Sequence, residues 1–321
     1  MNPHSTFAID PRLFDPASID ADTQASNTRL EQMFVDLPTI LTIPPQVVRE
    51  ARASGRSFLG PVVRSPNASD RVIEGPAGLL PLRVFATPRA TGVLLHIHGG
   101  GWALGAHDQQ DVLLDGLAQA TGLAVVSVGY RLAPEHPYPA AHEDCEAAAL
   151  WLVANSQALF GTRRLVIGGE SAGAHLSVTT LLRLRDRHGL HPFSAAYLTY
   201  GCFDLSLTPS ARNWGERNLV LSTPIIHKFL EWFAAPDVRA PDVSPLYADL
   251  SGLPPALFSV GTLDPLVDDS LFMAGRWTAA GASAELVIYP GGIHAFNLMP
   301  VPLASSANAR IERFLNQHLA G

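Results

Sequence analysis

Short apolar runs alternate along the chain with longer segments in which apolar residues recur every three or four positions. The runs VLLHI (93–97), LAVVSV (123–128), RLVIG (164–168), AAYLTY (195–200), ALFSVG (256–261) and AELVIY (284–289) have the length of strands. Apolar on consecutive positions, they suit strands buried on both faces of a parallel sheet. Between them lie 111–122, 140–156, 174–189 and 269–281, each periodic enough for an amphipathic helix, and three of these four stop at a glycine, a usual helix end. Strand and helix in alternation predict an α/β fold around a mostly parallel sheet flanked by helices. LRVFATP (82–88) and a weaker run near 62–73 read as antiparallel edge strands, which brings the sheet to about eight.

Two stretches break the alternation. Residues 1–55 carry helical segments such as SNTRLEQMFVDL before any strand, and residues 203–246 are too long for a plain strand-to-helix connection. The second stretch contains STPIIHKFLEWFAA, a helix opened by Ser222 or Thr223 with Pro224 just inside. Both are expected to form a helical cap over the carboxyl edge of the sheet, where open α/β sheets bind ligands. The expected organisation is therefore a cap segment at 1–55, a first core part at 56–202, a cap insertion at 203–246 and a second core part at 247–321.

Composition narrows the function classes. The chain has 321 residues, 47% hydrophobic and 16% charged, enough apolar content for a large core and too little charge for a disordered chain. A net charge of −7 gives no electrostatic footprint for nucleic acid. Cys145 and Cys202 are too few for a disulfide framework and read as small buried residues. The first twenty or so residues lack a basic region followed by an apolar stretch, so no signal peptide is expected. No run approaches the ~20 apolar residues of a membrane span. A cytoplasmic protein is the expectation.

The candidate chemistry sits at the ends of the apolar runs. Gly169-Glu170-Ser171-Ala172-Gly173 follows one strand and precedes a helix, the setting in which a G-x-S-x-G turn exposes a nucleophilic serine. The bland alternative is a turn in which Ser171 or Glu170 starts the helix. Acyl transfer also needs donors for the negative charge on the carbonyl oxygen. His98-Gly99-Gly100-Gly101-Trp102 follows another strand, and its glycines can present bare N–H groups, with the N–H of Ala172 on the other side. A phosphate cradle fits this loop poorly, because no Lys-Ser/Thr follows and the spacing is not G-x-G-x-x-G. A serine further needs a histidine to take its proton and a carboxylate to orient that histidine. Asp264 and His294 lie just beyond two successive strands, in the order expected for such a sheet.

Other polar residues read as structural. Asp268 and Asp269 suit the start of the next helix. His175 suits a packed helix position, and His96 and His98 have no third ligand nearby for a metal. Glu170 is expected to order the serine turn. Trp102, Phe203, Trp214 and Phe233 are candidates to line an acyl pocket.

Taken together, HGGGW (98–102), YRLAPEHPYPAAHED (130–144), GESAG (169–173), SPLYADLSGLPPALFSVGTLDPL (244–266) and GGIHAF (291–296) resemble the hormone-sensitive-lipase-like family of α/β-hydrolase carboxylesterases. The resemblance runs from His98 to His294, about two-thirds of the chain. It implies an α/β-hydrolase fold with a helical cap and a catalytic triad of Ser171, Asp264 and His294. It implies an oxyanion hole of the Gly100, Gly101 and Ala172 N–H groups, no cofactor, and short- to medium-chain esters as substrates. Relatives are often dimers, so a homodimer is an expectation. The chain departs from the family at Glu170 and Ala174, where many members have Asp and Gly, at Val267 in place of Arg, and at Ala295 in place of Gly. Amide hydrolysis on the same residues and ligand reception without turnover remain open alternatives.

Overall fold

Eight strands form one sheet in the order β1-β2-β4-β3-β5-β6-β7-β8. They are β1 (Ala68–Gly75), β2 (Gly78–Phe85), β3 (Val93–Ile97), β4 (Ala124–Val128), β5 (Leu165–Glu170), β6 (Phe193–Thr199), β7 (Ala256–Leu263) and β8 (Ala284–Ile293). The structure, a computed structural model, describes residues 8–37, 39–57 and 59–319. Strands β3 to β8 pair in parallel, while β1–β2 and β2–β4 are antiparallel. Of the two expected edge strands, β1 is the edge and β2 lies one place in, between β1 and β4. The α/β class with a mostly parallel sheet is as the sequence pattern predicts.

The alternation of side chains across the sheet feeds two separate cores. Val93, Leu95 and Ile97 of β3 and Ala124, Val126 and Val128 of β4 join the core under helices α4 (Ala140–Phe160), α5 (Ala172–His188) and α8 (Val267–Ala279). Leu94, Val125 and Val166 point the other way, onto α3 (Asp111–Thr121) and α9 (Pro302–Leu319). With neighbours on both faces, every residue of β3, β4 and β5 is buried, which is why these segments carry no polar face to read.

The two irregular stretches lie over the carboxyl edge as a helical cap. The first holds α1 (Ala21–Asp36) and α2 (Pro45–Ala53), and the second holds α6 (Pro209–Asn213) and α7 (Thr223–Phe233). They are tied to each other by the Arg217–Glu31 ion pair at 2.8 Å, and α1 is tied to the sheet by Asn27 Nδ2 donating to the Gly291 carbonyl at 2.7 Å. Helix α7 starts where the sequence predicts, yet neither expected cap residue closes it. Ser222 makes no side-chain capping bond, and the Thr223 hydroxyl donates instead to the Ala211 carbonyl at 2.7 Å. Among the described residues no helix is long and apolar enough to cross a membrane.

Candidate active site

Strand β5 runs through Glu170 and α5 begins at Ala172, so a single residue, Ser171, makes the reversal. Its backbone sits at φ 57°, ψ −120°, a region costly for any residue with a side chain. Two hydrogen bonds hold it there: Ser171 N to the Thr199 carbonyl at 2.9 Å, and His175 N to the Ser171 carbonyl at 3.1 Å. The turn also packs tightly on the end of β3. A Cβ placed on Gly173 would overlap the Ile97 carbonyl, so only glycine lets the helix start this close to the neighbouring strand.

Strands β7 and β8 deliver the partners. His294 Nε2 lies 2.9 Å from Ser171 Oγ, and His294 Nδ1 lies 2.9 Å from Asp264 Oδ2. Asp264 is fully buried, and its other oxygen accepts from the Leu266 N–H at 2.9 Å. An ionised carboxylate only accepts, so Nδ1 carries the imidazole proton and Nε2 offers its lone pair to the serine hydroxyl. The Tyr200 ring, 4.7 Å from the His294 ring, closes one side of the imidazole.

The glycine loop faces the same space. Gly100 and Gly101 both have positive φ, 119° and 58°. The loop is fastened from behind, with Ala103 N and Leu104 N donating to the Gly100 carbonyl at 3.1 and 2.8 Å, and Tyr130 Oη donating to the His98 carbonyl at 2.9 Å. Among the described residues, the N–H groups of Gly100, Gly101 and Ala172 have no protein acceptor. All three residues line the cavity that Ser171 and His294 line. At Gly101 a side chain would run into the Phe229 ring of α7, so the cap rests directly on bare backbone.

That cavity is about 470 Å³, with its roof built from the end of α1, residues 39–57, Leu59 and residues 218–229. Of the aromatic residues expected to line it, Trp102 does, pinned by its Nε1 donating to His175 Nδ1 at 3.1 Å. Phe203 does not: it is fully buried in the core, edge-on to Phe258 at 6.0 Å. Trp214 also lies outside the cavity wall, where its Nε1 donates to the Arg217 carbonyl at 2.7 Å. Phe233 is buried behind Trp102, with ring centroids 4.6 Å apart. The apolar wall is instead Leu221, Ile225, Ile226 and Phe229 from the insertion and Ile43 and Val47 from the first stretch. The signal for the former was the Ile225–Ile226–Phe229 stripe, spaced at one and four residues, the inward face of an amphipathic helix.

The polar residues read as structural find partners of that kind. His96 bonds Ser127 Oγ at 2.9 Å and Glu170 Oε2 at 3.1 Å, and Gln110 Nε2 donates to the same carboxylate oxygen at 3.2 Å. Glu170 is thus anchored beneath the serine turn. His175 is buried between Trp102 and the Val243 carbonyl, its Nε2 2.8 Å from that oxygen, and desolvation pushes its pKa down to about 4. Burial likewise pushes His98 down to about 3, so its ring is neutral. Asp268 and Asp269 open α8 as expected and also hold the insertion: Asp268 Oδ2 accepts from Ser210 N at 2.8 Å. Asp269 accepts from Phe203 N, Asp204 N and Thr208 Oγ1 at 2.6, 2.9 and 2.6 Å.

Comparison with known proteins identifies the fold family. The sequence profile of an alpha/beta hydrolase fold family matches residues 94–298. The chain is 37% identical to carboxylesterase NlhH of Mycobacterium tuberculosis over 246 residues, spanning 72% of this chain and 76% of the relative. It is 32% identical to an ethyl acetate hydrolase of Pseudomonas putida over 75% of this chain and 79% of that one. Among solved structures it superposes on a hyperthermophilic esterase from Pyrobaculum calidifontis with a TM-score of 0.84 and 30% identity, covering 92% and 98% of the two chains. The chain belongs to the esterase and lipase family of the α/β-hydrolase fold.

Proposed function

We propose that this protein is a serine carboxylesterase of the hormone-sensitive-lipase-like branch, acting on short- to medium-chain carboxylic esters through an acyl-enzyme. The observation that carries the reading is the unbroken hydrogen-bonded chain Ser171–His294–Asp264, opening into a largely apolar cavity beside three unused backbone donors. In this mechanism the Ser171 hydroxyl attacks the ester carbonyl as Nε2 of His294 removes its proton. The buried Asp264 carboxylate stabilises the imidazolium that forms. Negative charge on the carbonyl oxygen is met by the Gly100, Gly101 and Ala172 N–H groups, which need no reorganisation to receive it. His294 then protonates the departing alcohol, and water activated by the same ring releases the acid. No step calls for a cofactor.

The test is hydrolysis of p-nitrophenyl esters from acetate to dodecanoate by the wild type and by Ser171→Ala. The variant is expected to lose about 10⁴-fold or more in kcat while keeping its fold. Activity that survives the substitution would remove Ser171 from the chemistry. Matched anilides should react far more slowly than the esters; the reverse order would make the protein an amidase.

A further inference from the structure

The proposed chemistry needs its backbone donors at a fixed spacing, and they come from two separate places in the chain. The Ala172 N–H opens α5, while the Gly100 and Gly101 N–H groups belong to the loop after β3. That loop contains a tight turn. Ala103 N donates back to the Gly100 carbonyl at 3.1 Å, and the two residues between, Gly101 and Trp102, both have φ of 58°. Positive φ at both central positions is the mirror-image kind of turn, which suits glycine, asparagine and aspartate and strains a bulky side chain. The peptide unit that carries the Gly100 carbonyl also carries the Gly101 N–H, and in a trans peptide the two point in opposite directions. Whatever holds the turn therefore holds the direction of the Gly101 N–H.

Trp102 keeps this conformation because its surroundings over-determine it. Its carbonyl accepts from Ala133 N at 2.9 Å, its ring lies against Phe233 with centroids 4.6 Å apart, and its Nε1 donates to His175 Nδ1 at 3.1 Å. Of these contacts, the bond to His175 is the one that reaches α5. His175 stands one turn after Ser171, and its backbone N–H donates to the Ser171 carbonyl at 3.1 Å. Its side chain is fully buried, and burial keeps the ring neutral. Nε2 lies 2.8 Å from the Val243 carbonyl, which only accepts, so Nε2 carries the proton and Nδ1 keeps a lone pair for the indole. A packed helix position needs only an apolar side chain; this one aims a donor and an acceptor at two separate partners.

We infer that His175 is a positioning residue for the ester reaction: through Trp102 it braces the glycine turn against α5, and so fixes the Gly101 N–H relative to the Ala172 N–H. This role rests on the esterase reading. The oxyanion forms only on the way over the barrier, so loss of the brace falls on kcat and leaves KM for a short ester nearly as it was.

Two amide side chains separate the two bonds of the histidine. Asparagine at 175 places a carbonyl oxygen near the position of Nδ1, and glutamine places an amide nitrogen near that of Nε2. His175→Asn thus keeps the acceptor for Trp102, and His175→Gln keeps the donor for Val243. Hydrolysis of p-nitrophenyl acetate is measured for both, beside the wild type, Ser171→Ala and Trp102→Phe, with the thermal midpoint of each protein. His175→Gln is expected to lose about 10- to 100-fold in kcat with KM within about twofold, and His175→Asn to stay within about threefold of the wild type. Trp102→Phe removes the indole N–H from the other side; its kcat should fall as in His175→Gln, and it carries the test if that variant does not fold. Equal losses in the two variants at 175, a His175→Gln more active than His175→Asn, or a Trp102→Phe with the wild-type kcat overturns the brace. So do losses that follow the thermal midpoints rather than the presence of the acceptor. Wild-type turnover that is absent, or that survives Ser171→Ala, overturns the esterase reading itself and the role of the brace with it.

Discussion

Ala295 follows His294 directly and sits at φ 65°, ψ 17°, the left-handed region that costs a residue with a Cβ about 1–2 kcal/mol. The family resemblance places glycine here, and the backbone supplies the reason. Ala295→Gly should stabilise the fold by about 0.5–1 kcal/mol once the added freedom of the unfolded chain is subtracted. A denaturation midpoint that stays put or falls would mean the Cβ makes contacts worth more than the strain. At this scale the hydrogen-bonded residues were legible because each falls at the carboxyl end of a recognisable strand. Ser171 follows β5, Asp264 follows β7 and His294 follows β8. Phe203 and Trp214 were not legible, because an aromatic ring in an insertion carries no mark of the direction in which the backbone turns it.

Elements with strong periodicity were read almost residue for residue, such as β3 at Val93–Ile97 and α3 from Asp111. Helix α9 was not, since its buried stripe begins with Ala304 and Ala307 before reaching Ile311, Phe314 and Leu315, and alanines give little apolar contrast. The joint between α8 and the cap insertion was also hidden. There Asp269 was read as a helix-start acid, and it also binds two N–H groups and a hydroxyl of the insertion. Burial outweighs those three donors and, aided by the charge of Asp204, pushes its carboxyl up to about 7. Between about pH 4, where an unfolded aspartate ionises, and about pH 7, the folded chain holds a proton that the unfolded chain has lost. This group's contribution to stability therefore falls as pH rises through that window and is level above it. Asp269→Asn cannot ionise, and its amide can still donate to Thr208. Its stability relative to wild type should rise between pH 5 and pH 8 in urea titrations; a constant difference would show that the carboxylate is ionised throughout.

Over the whole molecule, the sheet is the frame and the cap determines what reaches it. The frame could be read from the sequence because alternating strand and helix leaves few ways to pack. The roof was legible as two capping stretches, but not how they meet, because they lie far apart in the chain and join through contacts such as Arg217–Glu31. Arg49 fixes α2 over the glycine loop, with Nε on the Ala103 carbonyl at 2.7 Å and Nη2 on the Ala133 carbonyl at 2.6 Å. Arg49→Ala strands both carbonyls and should cost roughly 1–3 kcal/mol. KM for esters long enough to touch α2 should rise several-fold, with kcat for acetate nearly kept. Unchanged KM across chain lengths would show that apolar packing alone seats the helix. The divided roof also has a consequence during synthesis. Helix α7 leaves the ribosome roughly 170 residues after α2, a delay of about 10–35 s at ordinary elongation rates. Throughout that interval the inward apolar face of α2, with Val47 and Val48, has no opposite wall. Val47 is still 48% exposed in the finished fold. The nascent chain thus carries this apolar face without its opposite wall for about half of its synthesis, and a chaperone that shields residues 40–55 is expected to raise the yield of folded protein in coupled translation.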